Sequence, residues 1–338
     1  MGKRFNSDEM QKVFEILQES YDVYGPRIYQ GTGCFSDTDV IRYGRLDSWE
    51  ELVWDQKSDY SFKEALFPIS ETILYFTENE MKTADGAPRQ RLIFLKSCDF
   101  HALKRLDEMY LKNGAEDYYY RRMRENTVFA VMGCKESGKN CFCVSMGTNR
   151  CEEYDMYIFQ DEKGCYMELR CRELEELLWD CGQNVQEKPT FVEKNEVYVE
   201  IPEKLPDTIH QDSMWQEYEI IRIHEDTCIG CGRCNFVCPT CTCFTMQDIF
   251  YKDNPKAGER RRVWASCQVD GYSDIAGGHS FRQNQGERMR FKVLHKISDY
   301  KKRFGYHMCV GCGRCENVCP EYISYIACLQ KLKEKEGK

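Results

Sequence analysis

No apolar run in this 338-residue sequence approaches the length of a membrane span, which excludes a membrane-crossing helix and leads us to expect a soluble protein. The chain opens on the polar Met1-Gly2-Lys3-Arg4-Phe5-Asn6, which lacks the pattern of a secretory signal, so a cytoplasmic location is expected. Positive charge is short. A formal net charge of -9 argues against general nucleic-acid binding. Gly31-Thr32-Gly33-Cys34 lacks the third glycine of a dinucleotide fingerprint, so no nucleotide loop is placed at Cys34. No serine, histidine and aspartate arrangement stands out, and no flavin or nicotinamide site is recognisable, which leaves hydride chemistry without a home. These absences describe a chain that transforms no substrate by itself.

Cysteine, by contrast, is abundant, at 21 residues. In a large chain without a secretory signal, such usage points to thiolates kept reduced for metal and not to disulfides. Two runs carry the pattern. Cys228-Ile229-Gly230-Cys231-Gly232-Arg233-Cys234 continues to Cys238-Pro239, and Cys309-Val310-Gly311-Cys312-Gly313-Arg314-Cys315 continues to Cys319-Pro320. Each is Cys-x2-Cys-x2-Cys-x3-Cys-Pro, the spacing with which bacterial ferredoxins hold a 4Fe-4S cubane, the fourth cysteine ligating the other cluster. Closely spaced cysteines on a tight turn can point three sulfurs at one cube, and the glycines among them let backbone approach closely. The expected ligands are therefore Cys228, Cys231, Cys234 and Cys319 for one cluster, and Cys309, Cys312, Cys315 and Cys238 for the other. Zinc is the alternative, but its tetrahedral sites usually draw on cysteine pairs separated by a longer loop. Oxygen damages such clusters, so an anaerobic setting is expected.

The first half has an α/β pattern. Met10, Val13, Phe14, Leu17 and Tyr21 recur at helical spacing behind Ser7, a candidate cap, and Gly25-Pro26 is expected to end that helix. Short strands are expected at 28–30 and 40–43, and a helix at 48–54. Leu92-Ile93-Phe94-Leu95 reads as a buried strand, a helix follows through Leu103, Leu106 and Tyr110, and Val128-Phe129-Ala130-Val131-Met132 reads as a second strand. Together they predict a βαβ unit in a mixed sheet. Cys98 and Cys134 then fall just beyond the strands' carboxyl ends, where such sheets gather ligands, and Cys141-Phe142-Cys143 lies close by. Cys98, Cys134, Cys141 and Cys143 thus form a candidate third cubane site, with buried free thiols or zinc as the alternatives. A hairpin is expected over 156–169. Cys151, Cys165, Cys171 and Cys181 have no cluster spacing and read as packing residues. A polar stretch at 183–188 and the proline-bearing 201–206 divide the chain into 1–205 and 206–338.

Beyond the first cysteine run lie Cys241, Cys243, Cys267 and His279, read as an outer shell or cap over the clusters, with a fourth ligand set as the alternative. Residues 282–302 are basic. They read as a solvated helix face that could also compensate cluster charge or dock an acidic partner.

The block from Cys228 to Phe244, with Ala276-Gly277-Gly278-His279, Phe304-Gly305-Tyr306-His307-Met308-Cys309 and Cys319-Pro320-Glu321-Tyr322-Ile323-Ser324, resembles the A subunit of anaerobic sulfite reductase. Lys96-Ser97-Cys98-Asp99-Phe100-His101-Ala102-Leu103 and Cys141-Phe142-Cys143-Val144-Ser145-Met146-Gly147 resemble the same family's other half. The Cys-Pro-Thr-Cys-x-Cys-Phe and Ala-Gly-Gly-His elements also resemble β subunits of soluble nickel-iron hydrogenases, or sulfhydrogenases. The first resemblance implies a mainly α-helical, ferredoxin-like dicluster domain after the α/β domain. It further implies an iron-sulfur electron-transfer subunit of a hetero-oligomer, relaying electrons from a flavin-bearing, NADH-oxidising subunit to a sirohaem subunit that reduces sulfite to sulfide. The second implies the matching subunit of a hydrogenase.

Overall fold

The structure, a computed structural model, describes residues 2–33, 37–84, 89–205, 209, 224, 226–334 and 336; Cys34 and residues 206–208 lie outside the described residues. Strand β1 (Gly2–Phe5) leads into helix α1 (Ser7–Ser20), which is capped by Asn6, one residue earlier than expected. Asn6 Oδ1 accepts from the Glu9 amide at 2.9 Å, and Glu9 Oε2 accepts from the Asn6 amide at 2.8 Å. This reciprocal box satisfies donors that a helix start leaves free. Asn6→Ala is expected to lower stability by about 1 kcal/mol in a denaturant titration, and an unchanged midpoint would show that the box contributes nothing.

Gly25-Pro26 does not end the helix. The chain turns extended at Tyr21, and both residues lie inside β2 (Asp22–Tyr29). Pro26 is tolerated there because β2 pairs with its parallel neighbour only over Asp22–Tyr24, so the missing N–H breaks no ladder bond on that side. β3 (Val40–Arg45) pairs antiparallel with β2. The helix expected over 48–54 is a single turn at Trp49–Glu51, since Leu52 is extended and the Val53 amide bonds to Pro26 O at 2.9 Å.

The βαβ unit consists of β6 (Arg91–Lys96), α3 (Ser97–Leu111), α4 (Tyr118–Glu125) and β7 (Thr127–Met132), after α2 (Lys63–Leu66), β4 (Ser70–Phe76) and β5 (Met81–Thr83). β6 and β7 are parallel, Arg91 opposite Thr127. β8 (Met156–Asp161) and β9 (Gly164–Leu169) form the expected hairpin, followed by α5 (Arg172–Leu177) and β10 (Gln183–Val185). The eight strands run β10-β1-β9-β8-β7-β6-β2-β3, with β2, β6, β7 and β8 parallel. Because strand side chains alternate, Leu92 and Phe94 of β6 pack on the α1 side while Ile93 and Leu95 pack with Leu103 and Leu106 of α3. Both faces are buried.

The mainly helical expectation for the second half misses a long hairpin. After α6 (Arg233–Phe236), β11 (Phe244–Tyr251) and β12 (Asn254–Trp264) pair with β4 and β5 in an antiparallel sheet of order β11-β12-β4-β5. That sheet joins the two halves. Arg262, buried, forks between Glu71 at 3.0 Å and Asp117 at 2.8 Å. A two-stranded pair, β13 (Asp274–Ile275) and β14 (His279–Ser280), precedes α7 (Gln285–Leu294), which continues through a π turn at His295–Asp299 into α8 (Tyr300–Phe304). α9 (Arg314–Val318) and α10 (Tyr325–Glu334) follow. Among the described residues no helix is long and apolar enough to cross a membrane.

Candidate metal centres

The twin motifs meet face to face, and the structure brings their cysteines together in two adjoining cavities. Cys228, Cys231, Cys234 and Cys319 line the first, together with Cys315, Lys292 and Tyr325. Cys309, Cys312, Cys315 and Cys238 line the second, which also takes in Cys234, Lys292, Lys296 and Tyr325. Each crossed set expected from spacing lines one cavity, and Cys234 and Cys315 line both. A glycine precedes each short helix: Gly232 before α6 and Gly313 before α9, both left-handed. For Gly313, at φ +68°, a Cβ would stand 2.0 Å from Asn140 O, and for Gly311, at φ +65°, it would stand 2.5 Å from Phe142 O. These glycines admit the backbone of the 140–143 loop as well as any cluster.

The electrostatics fit an anionic group held by thiolates. Lys292 is 3 % exposed, and its ammonium has no oxygen partner among the described residues. Burial pushes its pKa down, but facing Cys234 and Cys315 outweighs that and raises it. Lys296, also buried, donates to Thr240 Oγ1 at 2.8 Å; burial again opposes its charge, and Cys238 and Cys241 raise its pKa overall. Such cations need negative charge nearby. Burial pushes the Cys309 thiol up to about 12 and holds Cys315 well above the usual thiol range, so iron ligation there would release protons. The basic run at 282–302 thus divides, with Arg288, Lys292 and Lys296 turned inward. Sequence reasoning left open which of these lysines would line a site; the four-residue spacing of Lys292 and Lys296, which places them on one helix face, was the available signal.

A third cavity, open to solvent, is lined by Cys98, Cys134, Cys141 and Cys143. All four residues expected there are brought together. Cys98 enters at the start of α3 and Cys134 follows β7 by two residues, so the parallel strands deliver both to one sheet edge. Burial pushes the Cys143 thiol up to about 11 and raises Cys98 well above the usual thiol range. Lys57, not anticipated from sequence, ties this cavity to the second: its ammonium contacts Cys141 Sγ at 3.5 Å and Cys312 O at 2.6 Å. The Phe142 amide bonds Gly311 O at 2.8 Å, and Thr148 Oγ1 donates to Val310 O at 2.6 Å. The three cavities lie in series.

Asp99 and Arg314 lock this junction. Arg314 Nη1 and Nη2 reach the Asp99 carboxylate at 2.6 and 2.7 Å, and Nε and Nη2 reach Ser58 O and Oγ at 3.0 Å each. Cys151 and Cys165 are buried, and Cys171 and Cys181 pack against the core. Cys241, Cys243 and Cys267 gather beside the second cavity, whereas His279 is exposed on β14. No group of three or more histidine, cysteine, aspartate or glutamate residues among those described is spaced for a single metal ion.

Taken with this geometry, residues 227–323 match the 4Fe-4S dicluster domain family, so the chain carries a domain of that class. Over its length it is similar to a curated protein, the sulfhydrogenase 2 subunit beta of Pyrococcus furiosus, with 27% identity over 347 aligned residues and 98% of each chain covered. No solved structure matches.

Proposed function

We propose that this chain is the iron-sulfur electron-transfer subunit of a hydrogenase-type complex, holding three 4Fe-4S clusters in series. Cys228, Cys231, Cys234 and Cys319 would hold the first, Cys309, Cys312, Cys315 and Cys238 the second, and Cys98, Cys134, Cys141 and Cys143 the third. When bound, such clusters supply one-electron carriage. The observation that carries the reading is the row of three cysteine-lined cavities, the first two lined by five cysteines each and sharing Cys234 and Cys315, the third lined by four and bridged to the second by Lys57. This chain's residues neutralise charge through Lys292 and Lys296 and hold the cavities in register through Arg314 and Lys57. Whole-chain similarity to a sulfhydrogenase β subunit favours a hydrogen-activating partner over the sirohaem partner that the motif resemblance implied.

Anaerobically purified protein is expected to contain about twelve irons per chain, four for each cubane. Cys312→Ser is expected to lose about four of them and to stop electron flow through the complex, while Cys171→Ser keeps its iron. Equal behaviour of the two variants, or zinc in place of iron, would defeat the assignment. Co-purification from anaerobic cells separates the two complexes: a nickel-iron subunit supports the proposal, and a sirohaem subunit replaces it.

A further inference from the structure

Cys241, Cys243 and Cys267 are absorbed by none of the three cavities, yet the hairpin delivers them to one place. The β11–β12 register ends with Phe244 opposite Trp264 and is extended by the Ala265 amide bonding Cys243 O at 3.0 Å. Cys241 and Cys267 lie just beyond this end of the ladder, each two residues from the Cys243–Ala265 contact, where both chains leave the strand. Asn235 lines one hollow with Cys241 and Cys243, and its side-chain amide reaches the Cys267 sulfur, which places the three cysteines around one residue. Two amides are aimed at the Cys267 sulfur: Asn235 Nδ2 at 3.1 Å, from a residue 2 % exposed, and Gln268 Nε2 at 3.7 Å. Donors placed on a sulfur favour its anionic, nucleophilic form. Cys243 is the least buried of the three and lines a hollow with Phe67, Tyr110, Trp264 and the cations Lys63 and Arg262.

We infer that Cys243 and Cys267 form a redox-active dithiol, a two-electron centre set against the second cavity. Oxidation joins the two Sγ atoms, breaks two S–H bonds, and releases two protons and two electrons; reduction reverses each term. The inference rests on the proposed cluster reading for its electron source, since two one-electron carriers would open one disulfide. The connection is short. The Cys241 amide bonds Cys238 O at 3.3 Å, Cys238 Sγ and Lys296 Nζ both contact Thr240 Oγ1, and Lys63 Nζ donates to Cys241 O at 2.9 Å. A dithiol here would couple single-electron relay to a two-electron thiol–disulfide couple.

The test uses the full chain, purified without oxygen and equilibrated in glutathione buffers of varied oxidised-to-reduced ratio, then acid-quenched, alkylated and digested with trypsin. Arg260, Arg261 and Arg262 separate the two cysteines in sequence, so a Cys243–Cys267 bond appears as two cross-linked peptides. The expected result is that cross-link, with two alkylation sites lost per chain, reversed by the reducing buffers and absent from Cys267→Ser. Full iron content with no cross-link at any ratio, or a bond between Cys243 and Cys241 alone, would overturn the dithiol. Low iron with the cross-link intact would count against the cluster reading and leave the dithiol standing.

Discussion

Replacing Arg314 with methionine is expected to destabilise the protein by about 3–5 kcal/mol, because it strands the Asp99 carboxylate without its partner in the interior. Arg314 is 1 % exposed and Asp99 is fully buried. Their fork-to-fork contact, supplemented by Ser58, is the arrangement in which guanidinium cannot be exchanged for ammonium. Arg314→Lys should therefore retain charge and still lose much of the stability. Replacing both partners, as Asp99→Leu with Arg314→Met, removes the stranded charge and is expected to recover a large part of the loss. Denaturant midpoints of the variants check this, and equal stability of the single and double variants would refute the account. The consequence extends to the sites. Asp99 follows Cys98 directly and Arg314 stands between Cys312 and Cys315, so the pair holds the third cavity against the second. The single variant should lose iron from both sites as it loses stability.

That ion pair also marks where sequence reasoning stops. The two motifs are alike through Gly-x-Gly-Arg-Cys, yet Arg233 is exposed and Arg314 is among the most buried side chains. Nothing local distinguishes them; the difference is Asp99, 215 residues away. What was legible has short-range causes. Cysteine spacing acts within one turn, and the apolar runs of β6 and β7 bury two faces of a parallel pair, which places Cys98 and Cys134 at one edge. The same spacing brings the twin motifs against adjoining cavities, which share Cys234 and Cys315. The second sheet was not legible, because β12 carries Arg260, Arg261 and Arg262 where an apolar alternation would be expected, and its partner β4 lies far off in sequence. Arg262 is buried only because Glu71 and Asp117 meet it. Gly25-Pro26 misled for a related reason: a proline reads as a break until it is known which neighbour a strand has already left.

Lys292→Met is expected to lower the midpoint potentials of two clusters at once. The ammonium lines both of the first two cavities and faces Cys234 of one proposed ligand set and Cys315 of the other. An electron added to either cluster is stabilised by that charge. At a separation of about 5 Å and an effective dielectric of about 20, the attraction is about 3 kcal/mol. With about 1.4 kcal/mol and 59 mV each corresponding to tenfold for a one-electron couple, the shift is on the order of 100 mV. Lys296 lines the second cavity and not the first, so Lys296→Met is expected to move one potential where Lys292→Met moves two. A spectroscopic redox titration of the iron-loaded chain reads both. The apoprotein should respond in the opposite sense, because methionine removes a buried charge that lacks an oxygen partner, and its unfolding midpoint should rise. Potentials unmoved by Lys292→Met, together with an apoprotein no more stable, would mean that this lysine does not serve the cavities it lines.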